Sequence, residues 1–297
     1  MFGRIALPFA LFLSGCAPAA LAVAEPRSAF TPQQWAAACP ADAGWDEPGP
    51  PFRIHGNSWY VGTCGIAAVL ITSNDGHVLI DSGTVAGAEF VAANIRRLGF
   101  RLKDVKLLLM SHEHHDHTGG MAALKAATGA RLIASSAAAP VMTSGTAAPD
   151  DPQFGMNPAF APVAVDEVLG ADGRVEFGTL FMHAIATPGH TPGALSWQWR
   201  SCDNTDCRTL VFADSLSAFS SDTYRFSDHP AYVVAFREGL ARLASLECDM
   251  LLTPHPSASN LHARAATGLR EDGTGCASYS HTRLAQLEAR LAKEKAQ

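Results

Sequence analysis

The sequence predicts an α/β protein folded as an αββα sandwich. Three observations lead there. Strand-like apolar runs followed by helix-like periodicity occur twice, once in each half of the chain. Several of the strand runs are continuously apolar, as in strands buried on both faces. Histidine, proline and glycine collect directly after those runs, where strand ends share a rim. The chain has 297 residues, 47% hydrophobic and 17% charged. That is an ordinary globular balance, enough for one large core. A formal net charge of −6 without any Lys/Arg run argues against a phosphate-binding surface, so nucleic acid is not an expected partner.

Residues 1–24 read as an export signal. Arg4 is the only early charge, and the apolar run over residues 5–15 is too short to span a bilayer. Two processing readings stay open. "LSGC" at 13–16 looks like a lipobox, which would leave Cys16 as a lipid anchor, whereas "AVA" at 22–24 looks like an ordinary cleavage site before Glu25. Either places a single domain, 25–297, in the periplasm, soluble or anchored to the membrane. A monomer is expected.

Residues 25–52 are rich in Pro, Ala and Gly and are expected to wrap the surface. "FRIHGNSWYVG" alternates loosely, and "CGIAAVLITS", "SNDG" and "HVLIDSG" read as strand, turn and strand of a hairpin. "AEFVAANIRRLGF" has helical spacing at Phe90, Val91, Ile95 and Leu98, with Gly99 as its stop. "VKLLLMSH" is a buried strand, and "MAALKAATG" a helix ended by Gly129. The second half repeats the plan. "RVEFGTLFMHAIATPGH", "ALSWQWRS" and "TLVFADSLS" supply strands, "AYVVAFREGLARLASL" an amphipathic helix, and "DMLLTPHP" a buried strand. "TRLAQLEARLAKEKAQ" sets Leu284, Leu287 and Leu291 on one helical face. No low-complexity segment or interdomain linker interrupts the pattern.

Apart from Cys16, six cysteines remain, an even number that suggests disulfides in an exported chain. Cys202 and Cys207 flank the polar turn "CDNTDC" and are expected to pair, a closure that stabilises by only about 2 kcal/mol. Among the connectivities left, Cys39–Cys64 and Cys248–Cys276 would contribute about 3.5 kcal/mol each.

The chemistry concentrates in "SHEHHDHTGG", residues 111–120. It reads H-x-H-x-D-H: His112, His114, Asp116 and His117. Imidazole and carboxylate suit zinc. Alternate residues on extended backbone face one way, so His112 and His114 can serve one ion, while Asp116 and His117, past the bend, can serve a second. Gly119 and Gly120 are expected to let the backbone turn tightly. Each ion needs a third ligand and keeps an open position for solvent. His190 in "TPGHTPG" and His255 in "TPHPS" follow strands in the same way, giving His112, His114 and His190 at one ion and Asp116, His117 and His255 at the other. Asp81 in "LIDSG" is expected to orient a ligand or its loop. Glu113 and His115 lie between ligands, with His115 pointing away. His55, His77, His183, His229, His262 and His281 lack such patterns.

H-x-H-x-D-H with His190 and His255 resembles the metallo-β-lactamase fold, whose hydrolases include β-lactamases, glyoxalase-type thioesterases, lactonases and nucleases. Within it, "TPGHTPGALSWQW", "ADSLS", "RFSDHP" and "TPHPSAS" are similar to class B β-lactamases of the third subclass, and the cysteines to its three-disulfide members. The resemblance spans nearly all of residues 40–280. It implies a di-zinc enzyme that opens β-lactam rings (penicillins, cephalosporins, carbapenems) and so confers antibiotic resistance. A metal-activated water would attack without an acyl-enzyme, and Asp116 would handle its proton. It further implies that Ser215 and Ser217 bind the substrate carboxylate, and that no Cys ligates a metal. Other hydrolases of the fold bridge both metals with an aspartate near Asp214. Here Asp214 falls one residue early, and a one-residue offset turns a side chain to the other face. It is not counted as a ligand. The alternatives are another hydrolase of the fold, acting on thioesters or lactones, and an exported zinc-binding protein without catalysis.

Overall fold

The computed structural model describes residues 29–170, 173–269 and 273–296. Cys16 and both processing sites lie outside them.

The chain opens with α1 (Pro32–Ala38), where a surface-wrapping segment was expected. Thr31 and Gln34 form a reciprocal capping box there, and Pro32 supplies a pre-set φ at the first turn. The helix buries Trp35 against Phe52 and Tyr60, with ring centroids 5.5 and 5.3 Å apart. That burial anchors a segment too poor in apolar residues to announce itself. Strands β1 (Phe52–His55), β2 (Ser58–Tyr60), β3 (Val69–Ile71) and β4 (His77–Ile80) then pair antiparallel in succession. α2 (Gly87–Arg97) crosses over to β5 (Val105–Leu109), which lies parallel to β4. A one-turn helix, α3 (His115–Thr118), and α4 (Met121–Thr128) follow, and Gly129 closes α4 in the left-handed conformation, φ 75°. β6 (Arg131–Ala134), α5 (Ala138–Ser144) and β7 (Glu167–Val168) complete the first half, in which β1 to β7 lie in sequence order in one sheet.

The second half builds β8 (Arg174–Phe177), β9 (Leu180–Ala186), β10 (Leu195–Asp203) and β11 (Asp206–Phe212) as an antiparallel meander. α6 (Pro230–Ala244) leads to β12 (Met250–Leu252), which returns parallel to β11. α7 (Leu261–Ala266) and the long α8 (Gly275–Lys295) end the described chain.

Three apolar clusters define the layers. One lies between the two sheets and contains Val69, Ile80, Leu109, Trp197 and Phe212. A second packs the outer face of the first sheet against α2, α4 and α5 through Val91, Ile95, Leu124 and Val141. The third packs the second sheet against α6 and α8 through Phe236, Leu240 and Leu287. This is the expected αββα sandwich. The sheets are stitched where β5 ends: Leu195 N donates to Ser111 O at 2.7 Å, and Trp197 Nε1 to Met110 O at 2.8 Å.

The three expected disulfides, Cys39–Cys64, Cys202–Cys207 and Cys248–Cys276, are present. Cys202 and Cys207 sit directly opposite in the β10–β11 ladder. The turn between those strands is therefore shorter than the sequence suggested, only Asn204 and Thr205, with Asn204 at φ 54°. Among the described residues no helix is long and apolar enough to cross a membrane.

Candidate metal centre

The histidine-rich motif starts at Ser111, two residues past the end of β5, at the stitched rim. His112 and His114 precede the single turn of α3, while Asp116 and His117 lie within it. Gly119 and Gly120 keep negative φ values of −56° and −87°. Gly120 therefore serves close approach more than an unusual turn: a Cβ there would stand 2.5 Å from Ala88 Cβ.

His112, His114 and His190 surround one point. Their ring centroids are 5.0, 4.8 and 4.9 Å apart, with planes nearly perpendicular. Each ring is held from behind. His112 Nδ1 lies 3.2 Å from Ser111 Oγ and 2.8 Å from Asp214 Oδ1. His114 Nε2 lies 3.0 Å from Asp151 Oδ2, and His190 Nδ1 lies 2.8 Å from Ser217 Oγ. The other nitrogen of His112, Nε2, is buried without a hydrogen-bond partner.

Asp116, His117 and His255 form a tighter triangle. Asp116 Oδ2 is 3.0 Å from His117 Nε2 and 3.3 Å from His255 Nε2, and the two imidazole nitrogens are 3.2 Å apart. Asp81 supports this set. It accepts from Ser111 N at 2.6 Å and from Ser111 Oγ at 2.7 Å, and its Oδ2 lies 3.5 Å from His117 Nδ1. His112 also comes within ligand reach of Asp116 and His117, so the two clusters adjoin.

The residues fit metal ions. A tetrahedral zinc with bonds of about 2.0–2.1 Å sets its ligand atoms about 3.3 Å apart, close to the edges of the second triangle. In the first cluster an imidazole nitrogen is buried unpartnered beside two further imidazoles, a costly arrangement unless something accepts the lone pair. Both clusters are thus consistent with a binuclear metal site.

Electrostatics separates the clusters. Burial, and then the neighbouring histidines, hold His112 and His190 below the usual imidazole range. Burial also opposes charge on His117, but the Asp116 charge and the hydrogen bonds of Asp116 and Asp81 outweigh it, keeping His117 protonated up to about 10. For Asp116 burial works upward, yet His117 and His255 hold it well below the usual carboxylate range.

The remaining expected site residues lie around these clusters. Asp214 stands on the outer nitrogen of His112, so it backs a ligand and does not bridge the clusters. Ser215 Oγ is buried without a partner, and its carbonyl accepts from Tyr279 Oη at 2.7 Å. Ser217 Oγ is engaged by His190. Glu113, which lies between ligands in the sequence, is buried. It accepts from Thr191 Oγ1 and Gly193 N, both at 2.8 Å, and ties the motif to the His190 loop. Burial pushes its carboxyl up to about 7 against those bonds. His115 turns away toward Trp45, whose ring also lies 6.0 Å from that of His255. Sequence reasoning did not single out Asp151, Trp45 or Gln153, the last with Nε2 3.3 Å from His190 Nε2.

Paired His/Asp clusters at the rim of an αββα sandwich define a metal-dependent hydrolase. The chain belongs to the metallo-beta-lactamase superfamily, whose pattern matches residues 61–281. It is 54% identical to the MIM-2 metallo-beta-lactamase, with a TM-score of 0.85 over 90% of this chain and 100% of that one. It is 40% identical to MEM-A1, a subclass B3 metallo-beta-lactamase from a soil metagenome library, with a TM-score of 0.80 over 85% of this chain and 99% of that one. A curated relative, hydroxyacylglutathione hydrolase from Polaromonas sp. (strain JS666 / ATCC BAA-500), is 32% identical over 168 residues, 56% of this chain and 52% of the relative. The chain spans about half the length of the curated relatives it matches.

Proposed function

We propose that this protein is a di-zinc β-lactamase of the third class B subclass. The reading rests on one observation above others: likeness to β-lactamases extends over nine-tenths of the chain at 54% identity. Bound zinc would supply an acidified water and a Lewis acid for the lactam carbonyl. His112, His114 and His190 would hold one ion, and Asp116, His117 and His255 the other. Asp116 Oδ2 belongs to its triangle, while Oδ1 lies 3.9 Å from His115 Nδ1 and is left to take the proton of the attacking water. Ser215 Oγ is unpartnered but buried, and would have to be uncovered to meet the substrate carboxylate. Ser217 would share its hydroxyl between that carboxylate and His190. No serine acts as a nucleophile in this reading: the imidazoles beside Ser217 and Ser111, His190 and His112, are the proposed metal ligands, and Ser111 Oγ donates to Asp81.

A second reading, thioester hydrolysis, draws on the hydroxyacylglutathione hydrolases among the curated relatives. Hydrolysis of a penicillin, a cephalosporin, a carbapenem, a glutathione thioester and a lactone by the zinc-loaded protein decides between them. Efficient thioester or lactone turnover with no β-lactam turnover would defeat the lactamase reading. We also place the protein in the periplasm, supported by the three disulfides. Thiol titration of the unfolded, unreduced mature protein is expected to find essentially no free thiol, and three or more reactive thiols would contradict that compartment.

A further inference from the structure

At the pole opposite the metal centre the two sheets part. A cleft of about 500 Å³ opens there between β2, β3 and the start of β4 on one side and β9 and β10 on the other. His77 opens β4 within this cleft, and Asp81 follows the last residue of the same strand. The strand's rise puts roughly 13 Å between them. The cleft is separate from the metal centre and independent of the chemistry proposed there.

The walls are apolar and aromatic: Trp59, Phe100, Leu180, Met182 and Trp199. Phe100 is fixed by edge contacts to Trp59 and His77, with centroids 5.9 and 5.0 Å away, so the lining is preformed. Two guanidinium groups, Arg53 and Arg200, border it, and no Asp or Glu is among its lining residues. That sign is the reverse of the chain's net charge of −6. Arg53 lies over Trp59 at 5.7 Å from the ring centroid. It donates to Gly56 O at 2.6 Å and is ion-paired with Asp203 at 3.5 Å. Arg200 is exposed and makes no ion pair among the described residues.

We propose that this cleft binds a small amphipathic anion, with a flat apolar body against its aromatic lining and a carboxylate at Arg200. Volume, aromatic walls and a few polar groups at the mouth are the features of a small-molecule site. The absence of any lining acid selects an anion over a cation or a neutral ligand.

Calorimetric titration of the zinc-loaded protein with 2-naphthoate tests this, with 2-naphthamide as the uncharged match. One naphthoate is expected per chain. The amide should bind ~10-fold more weakly, the loss of a charge-assisted hydrogen bond. Arg200→Gln should weaken naphthoate ~10-fold and leave the amide unchanged. Asp116→Asn should leave naphthoate affinity unchanged, because the metal centre is elsewhere. Absence of binding, equal affinity for acid and amide, unchanged affinity in Arg200→Gln, or loss of binding in Asp116→Asn would each overturn the proposal.

Discussion

His112, His114 and His190 are three imidazoles braced from outside, by Asp214 and Ser111, by Asp151 and by Ser217. Asp116, His117 and His255 instead hold one another, with a carboxylate inside the triangle and a proton on His117. The first cluster is oriented before any metal arrives and has little charge to lose. The second is charge-paired within itself, and a cation must replace a proton that Asp116 and Asp81 retain. Its His255 side chain is also 26% exposed, whereas His112, His114 and His190 are all buried. One short motif thus contributes to a rigid neutral half and a charged half that is more open to solvent.

The largest expected effect comes from removing the charge inside the second triangle. Asp116→Asn is expected to lower kcat/KM by ~10²–10⁴, the usual worth of a positioned proton acceptor, and to leave one zinc per chain. Steady-state kinetics with elemental analysis checks this. Two tightly held zincs and parental activity would erase the contrast between the clusters.

The bracing of the first cluster is tested by Asp151→Asn. It keeps the shape but removes the carboxylate from His114. It should weaken one zinc by ~10–100-fold, the typical worth of such a partner, as read by competition with a chromogenic chelator. If the weakened ion proves to be the one lost in Asp116→Asn, the assignment of ligands to two separate ions is wrong.

Protons sharpen the comparison further. Metal must displace the His117 proton, so second-cluster affinity should rise with pH until about 10, where His117 becomes neutral unaided. His112 and His190 are already neutral at pH 7, so the first equivalent should release almost none from them. Calorimetric zinc titrations in buffers of different ionisation enthalpy count the protons. About one is expected with the second equivalent.

The smallest effect is expected at the hydroxyls. Ser215→Ala with Ser217→Ala should raise KM for penicillins and carbapenems about tenfold, allowing for water in their place, and change kcat less. Ser217→Ala alone should also loosen the first-cluster metal slightly, since it leaves His190 Nδ1 with only the longer contacts to Ser217 O and Gln153 Nε2. Unchanged KM in the double variant would remove the serines from substrate binding and leave the metal assignment standing.

What the sequence reveals depends on how local the cause is. β5 and β12 are legible because strands buried on both faces must be continuously apolar. The motif is legible because four ligands fall within six residues. His190 and His255 are legible because each sits in a Pro/Gly-marked loop after a strand. Asp151 is not, because it meets His114 across 37 positions from an irregular loop with no periodicity. Glu113 looked unspecialised in the sequence, since its partners Thr191 and Gly193 lie about 80 residues away. α1 escaped notice because one tryptophan, rather than an apolar stripe, holds it down.

The sites also impose an order of assembly. The first cluster waits for His190, and the second for His255, which must travel back to His117 across 138 positions to meet it at 3.2 Å. Contacts so distant along the chain are slow to form, because loop closure must precede any gain. A chain synthesised from its N-terminus therefore exposes His112, His114, Asp116 and His117 long before either third ligand exists. Metal capture is then a late event in folding. A nascent chain stopped between residues 190 and 255 would carry the complete ligand set of only the neutral half.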